Sequence, residues 1–128
     1  MRYDVVIIGA GAAGFGCALT LGSANDKFDW AKDKKYLILD DNKSDLNVGK
    51  YFNVAGVDSG INGVDLLLKM KKQLEIYKDV ELKDEKATKI ENLGEYFKIT
   101  TQNSTFEASI IVLATGLHKF DIECQGVN

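Results

Sequence analysis

The chain has 128 residues, one histidine, two cysteines, no proline and a formal net charge of −3, a size at which a single domain buries roughly two-thirds of the surface its unfolded chain exposes. Its lysines alternate with acidic residues, as in Asp26–Lys35 and Lys69–Lys89, and this excludes the concentrated cationic surface that nucleic acids and anionic membranes select. No apolar run approaches the ~20 residues of a bilayer span, and Met1–Asp4 runs straight into Val5–Ile8 without a signal peptide's cleavage segment, so a cytoplasmic protein without membrane partners is expected.

Val5–Ile8 is a short β-branched run ending in glycines, the pattern of a strand buried on both faces. Ala12–Leu21, rich in Ala and Leu, is predicted to be a helix. A polar stretch from Ser23 to Lys35 follows, longer than the usual helix-to-strand connection, with Trp30 expected to fold back on the body. Tyr36–Leu39 is a second buried strand, which completes a βαβ unit with a right-handed crossover.

Asn42–Gly60 lacks periodicity and is predicted to be loop. A second helix is expected from Asn62, which serves as N-cap with Asp65 in the first turn. Val64, Leu67, Met70, Leu74 and Tyr77 recur every three or four residues and define its buried face. Val80–Leu82 is a third short parallel strand. Ala87–Glu91, Tyr96–Thr101 and Thr105–Ala108 form a small antiparallel meander turned at Asn92–Glu95 and Gln102–Ser104. Ile110–Leu113 reads as a further fully buried strand. With no repeat and no linker, residues 1–128 are predicted to form one domain of the α/β class, a Rossmann-like parallel sheet with a small antiparallel β-meander.

Gly9-Ala10-Gly11-Ala12-Ala13-Gly14 is a GxGxxG turn in the context it requires, directly after a strand and opening a helix. Gly9 permits the tight turn, Gly11 lets a pyrophosphate reach the backbone, and Gly14 lets the helix lie close to the strand. The N–H groups of Gly11, Ala12 and Ala13 would then face the phosphates, assisted by the helix dipole. Asp40, at the end of the second strand, has the carboxylate needed to accept from both hydroxyls of a ribose. Its negative charge disfavours a 2′-phosphate, and Asp41 and Asn42 are secondary candidates. An ADP-containing dinucleotide is the predicted ligand.

The segment Tyr3–Gly14 resembles the first FAD motif of thioredoxin-reductase-like flavoproteins, in the wider pyridine nucleotide–disulfide oxidoreductase superfamily. Ile110-Ile111-Val112-Leu113-Ala114-Thr115-Gly116 is similar to that superfamily's buried strand ending in ATG. Tyr51–Gly56 is similar to the loop that carries an Asn near the flavin ring. The resemblance implies FAD as cofactor, with Asn53, Thr115 and Gly116 on the flavin side and the backbone of Ala87 against adenine. The chain departs from the family where Ala13 and Ala55 replace prolines and where no Gly-Gly-Gln follows Asp40. A second GxGxxG domain for NAD(P)H, a redox CxxC and a C-terminal return of the FAD domain are also lacking in this sequence. The resemblance therefore covers one FAD-binding portion of a larger flavoprotein, to be completed by a C-terminal segment or a partner chain. Nicotinamide would be held only by residues outside these 128, which leaves the isolated chain inactive.

No side chain stands out as catalytic. Cys17 falls at an apolar helix position and reads as a core residue, and Cys124 has no partner in a CxxC pattern. His118 follows the ATG strand, where a proton-transfer role competes with that of an ordinary loop residue. One histidine without a Cys/His cluster gives no metal site. Two other functions stand beside this one: a non-catalytic dinucleotide-binding module that senses or completes a partner, and an NAD-binding domain of an unrelated dehydrogenase, which shares the first turn and Asp40 but not the ATG strand.

Overall fold

The computed structural model describes residues 2–116 and 123–126. Strands β1 (Arg2–Ile8), β2 (Tyr36–Leu39) and β5 (Val80–Lys83) lie side by side with β8 (Thr105–Leu113) on the other flank of β1, and these four are parallel. Their register brings Ile8 level with Leu39 and Leu113, and Leu39 level with Lys83, so all four C-terminal ends finish in one row. The sheet continues antiparallel from β8 through β7 (Phe97–Thr101) to β6 (Ala87–Asn92), with β9 (Glu123–Cys124) along the outer edge of β6. A separate two-stranded ladder joins β3 (Lys50–Tyr51) to β4 (Ile61–Asn62).

Alternation along β1 and β2 divides the core between two faces. Val6, Ile8, Leu37 and Leu39 pack with Ile90, Ile99 and Ala108 of the meander. Val5, Ile7, Tyr36 and Ile38 pack with Phe15, Ala18 and Leu74 of helices α1 (Ala12–Lys27) and α2 (Gly63–Leu74). Burying each of these large side chains contributes roughly 1.5–3 kcal/mol before conformational entropy is counted. The double cover explains why β1 and β2 are continuous apolar runs. Among the described residues no helix is long and apolar enough to cross a membrane.

The predicted α/β class, parallel sheet and meander are present, with several boundaries moved. Helix α1 runs to Lys27, because Ser23–Lys27 are tolerated on a helix whose Gly22 abuts Tyr77 and whose Ala24 is buried. The remaining connection is a short 3-10 turn, Asp29–Ala31. Trp30 does not fold back: it is 71% exposed and stacks on Phe28 instead. Along α2 the buried face is Leu66, Leu67, Met70 and Leu74, while Val64 faces solvent. The segment expected to be loop contains β3 and a 3-10 turn at Asp45–Val48.

The last meander strand and the ATG strand are one element. Residues Thr105–Ala108 of β8 pair with β7, and Val5–Ile8 pair with Ile110–Leu113 farther along. The upper half is not fully buried as expected, with Ile110 56% and Leu113 42% exposed. The cause is that β7 stops opposite Ala108, and beyond it β8 has only β1 beside it among the described residues.

Candidate functional site

The row of strand ends carries a cavity of about 550 Å³. It sits where the chain order reverses, since β1 leads to β2 and β5 on one side and meets β8 on the other. Open α/β sheets bind ligands at such a reversal.

Gly9 begins the floor. Its amide donates to the carbonyl of Leu39 at 2.8 Å, and the amide of Ala114 donates to the carbonyl of Ile8 at 2.8 Å, so the turn is tied to β2 and to β8. Its φ of +104° favours glycine, and a Cβ there would stand 2.2 Å from the Ala114 oxygen. Gly14 has a packing role: its Cβ would lie 1.9 Å from the Gly9 oxygen. Gly14 does not line the cavity, whereas Gly9, Gly11, Ala12 and Ala13 do.

Gly11 differs from both. A Cβ on it would meet only the Ser44 hydroxyl, at 3.3 Å. The protein thus has little need for glycine here, and the open space above Gly11 is available to a ligand. Gly11 is also the N-cap of α1, with no side-chain cap and no acidic residue in the first turn. The N–H groups of that turn have no intrahelical acceptors, and Gly11, Ala12 and Ala13 line the cavity. An anion with several acceptor oxygens fits this cradle.

Asp40 lines the same cavity. Its Oδ1 accepts from the Ala10 amide at 3.0 Å and its Oδ2 from the Asn42 amide at 3.1 Å. Each carboxylate oxygen keeps lone-pair capacity for a further donor, so the group is aimed in advance at hydroxyls. Asp41 also lines the cavity, and its Oδ1 accepts from the Lys43 amide at 3.1 Å. Ala87, Thr115 and Gly116 complete the wall. Asn53 is not brought there; it is exposed on the segment between β3 and β4. His118 lies outside the described residues, as does the side chain of Cys124. Cys17 packs against the helix-side core, where burial raises its thiol pKa and keeps it protonated, as suits a packing role.

Sequence reasoning did not find the turn over the cavity or the strap beside it. Ser44 accepts from the Leu46 amide at 3.3 Å and opens the Asp45–Val48 turn, which supplies Asp45 and Leu46 to the wall. Gly63 fixes this turn: its amide donates to the Gly49 carbonyl at 2.8 Å, and a Cβ there would overlap the Leu46 oxygen. A glycine directly after the N-cap Asn62 was the available signal. Glu85 and Lys86, between β5 and β6, line the opposite side.

The sequence profile of the pyridine nucleotide-disulphide oxidoreductase family matches residues 3–128. The chain belongs to this family. A thioredoxin reductase of Treponema pallidum is 31% identical over 114 residues, covering 89% of this chain and 35% of its own. The structure of a thioredoxin reductase from Gloeobacter violaceus superposes with a TM-score of 0.80 at 28% identity, over 93% of this chain and 38% of that one. A thioredoxin reductase from Streptococcus pyogenes gives 0.79 at 30% identity, over 93% and 37%. The chain thus has the fold of a thioredoxin-reductase-like oxidoreductase and spans little more than a third of these relatives' length.

Proposed function

We propose that the chain is the FAD-binding portion of a thioredoxin-reductase-like oxidoreductase. The observation that carries this reading is one cavity lined by the uncapped start of α1, the pre-aimed carboxylate of Asp40 and Thr115-Gly116. Gly9, Gly11, Ala12 and Ala13 would receive the pyrophosphate on backbone N–H groups, with Gly14 holding helix and strand together. Asp40, backed by Asp41, would accept from the ribose. The backbone of Ala87 would meet adenine, and Thr115 and Gly116 the flavin side. Asn53 would enter the site only through a shift of the β3–β4 segment. A cavity of about 550 Å³ is ample for the ADP half of the cofactor.

When bound, the flavin supplies electron-pair transfer between a nicotinamide and a disulfide or other acceptor. The residues of this chain bind and orient it and exclude a 2′-phosphate. The nicotinamide site would come from residues beyond these 128. We place the protein in the cytoplasm, as its unpaired thiol at Cys17 suits a reducing compartment.

Its span of 35% of the curated relative favours completion by a further segment or a partner chain. The upper half of β8, which among the described residues has a strand on one edge only and exposes Ile110 and Leu113, offers the place for it. On this point a second reading stands beside the first: a dinucleotide-binding module that does no chemistry until joined.

Titration with FAD, followed by quenching of flavin fluorescence, tests the proposal. Saturable binding that NAD does not displace, and that Gly11→Val abolishes, is the expected result. Displacement by NAD at comparable concentration would make the chain an NAD-binding domain instead. Turnover with NADH by the chain alone would end the module reading.

A further inference from the structure

The strap Asp84–Lys86 links β5 to β6 and turns Glu85 and Lys86 towards the cavity. A dinucleotide laid across the strand ends, with phosphates over β1 and ribose over β2, puts its base over the next strand, β5, and against this strap. The inference therefore rests on the functional reading above.

The strap is moored from outside the site. Glu85 Oε2 accepts from the Thr101 hydroxyl at 2.6 Å, and Oε1 accepts from the Ser104 hydroxyl at 3.3 Å. Thr101 is 6% exposed, and its oxygen also accepts from the amides of Asn103 at 3.2 Å and Ser104 at 2.9 Å. Both its lone pairs are then in use, and its one proton is left for Glu85, shared at most with the Ser104 carbonyl at 3.2 Å. The tight turn between β7 and β8 thus presents a fixed donor whose nearest acceptor, at 2.6 Å against 3.2 Å for the Ser104 carbonyl, is the Glu85 carboxylate on the strap.

We infer that Thr101, which does not touch the cavity, is a positioning residue for nucleobase recognition and acts through Glu85. ADP and UDP share ribose and diphosphate and differ in the base, so the ratio of their Kd values reads the strap and not the phosphate turn. The full chain should prefer ADP. Thr101→Val should narrow that preference about tenfold, the scale of one charge-assisted hydrogen bond. Thr101→Ser, which keeps the hydroxyl, should restore it, and Glu85→Ala should reproduce the loss. A merely structural defect would weaken both nucleotides alike and leave the ratio unchanged, and that result would overturn the inference. Equal affinity of the unmodified chain for ADP and UDP would overturn it as well. Should Thr101→Val fail to fold, Glu85→Ala, at the one half-buried residue of an otherwise exposed strap, carries the test alone. A chain that binds neither nucleotide nor FAD would refute the functional reading together with this one, whereas binding with an unchanged ratio would refute only this one.

Discussion

The amide of Ala10 donates to Oδ1 of Asp40 at 3.0 Å across thirty residues of sequence, which makes the glycine turn and the carboxylate after β2 a single hydrogen-bonded unit. Removing the side chain therefore has two effects: it takes away the proposed acceptor for the ribose and leaves a turn amide without its partner. Asp40→Asn keeps an acceptor for Ala10 and loses the charge. FAD affinity should fall roughly 10- to 100-fold in Asp40→Asn, from the loss of a charge-assisted acceptor, with little change in urea midpoint. Asp40→Ala should lose at least as much affinity and also unfold at lower urea. Equal urea midpoints for the two variants would separate the turn from the carboxylate.

Two glycines on α1 should respond in opposite ways to the same substitution. A Cβ at Gly14 meets the Gly9 oxygen at 1.9 Å, whereas a Cβ at the exposed Gly16 meets nothing within 4 Å. Gly14→Ala drives backbone against backbone, so it should destabilise by at least about 1–3 kcal/mol, the range of overpacked cores. Gly16→Ala removes a helix-interior glycine and should stabilise by about 0.5–1 kcal/mol. Denaturant unfolding of both variants checks the pair, and destabilisation by Gly16→Ala would contradict the helix as described.

How far the sequence reveals this arrangement depends on how local each cause is. The turn Gly9–Gly14, the strand Tyr36–Leu39 and the cap Asn62 rest on neighbours in sequence, and all three stand where their patterns indicate. Glu85 is one more charge in the mixed run Lys69–Lys89, and the sequence does not single it out, because its partners Thr101 and Ser104 lie on the distant β7–β8 hairpin. Ser44–Leu46 escaped notice for the same reason: the Gly63 that holds this turn is on another helix. Val64 fits helical periodicity and is nevertheless exposed, since periodicity names a face but not what covers it. That β8 has a strand on only one edge of its upper half among the described residues could not be read from Ile110–Leu113, whose apolar run is the same whether one strand or two flank it.

The N-cap of α2 gives a local test of that legibility. Asn62 Oδ1 accepts from the Asp65 amide at 2.9 Å, and its Nδ2 donates to Asp65 Oδ2 at 2.8 Å. Asn62→Ala should cost about 1 kcal/mol, and Asn62→Asp should cost less, because it keeps the acceptor while placing a second carboxylate beside Asp65. Since the start of α2 also buttresses the Asp45–Val48 turn, FAD affinity in Asn62→Ala should fall along with stability. Unchanged stability in Asn62→Ala would show that the cap is dispensable.

Tyr3 sets a pH dependence on the meander side of the sheet. Burial raises its phenol to about 12, and the hydrogen bond it donates to Glu81 and that carboxylate's charge act in the same direction. In the unfolded chain the phenol titrates near its ordinary value of ~10. The native state therefore binds this proton more tightly, and the associated stability is fully present below about pH 10. It is lost as pH rises from about 10 to about 12. Tyr3→Phe removes the titrating group along with the Glu81 hydrogen bond, so the variant should be the less stable of the two at about pH 9. Between about pH 10 and about pH 11.5 the difference should shrink, because only the unmodified chain loses this contribution. Urea unfolding of both proteins across that window measures it directly. A stability difference that stays constant with pH would mean that Tyr3 ionises in the native protein as readily as it does when unfolded.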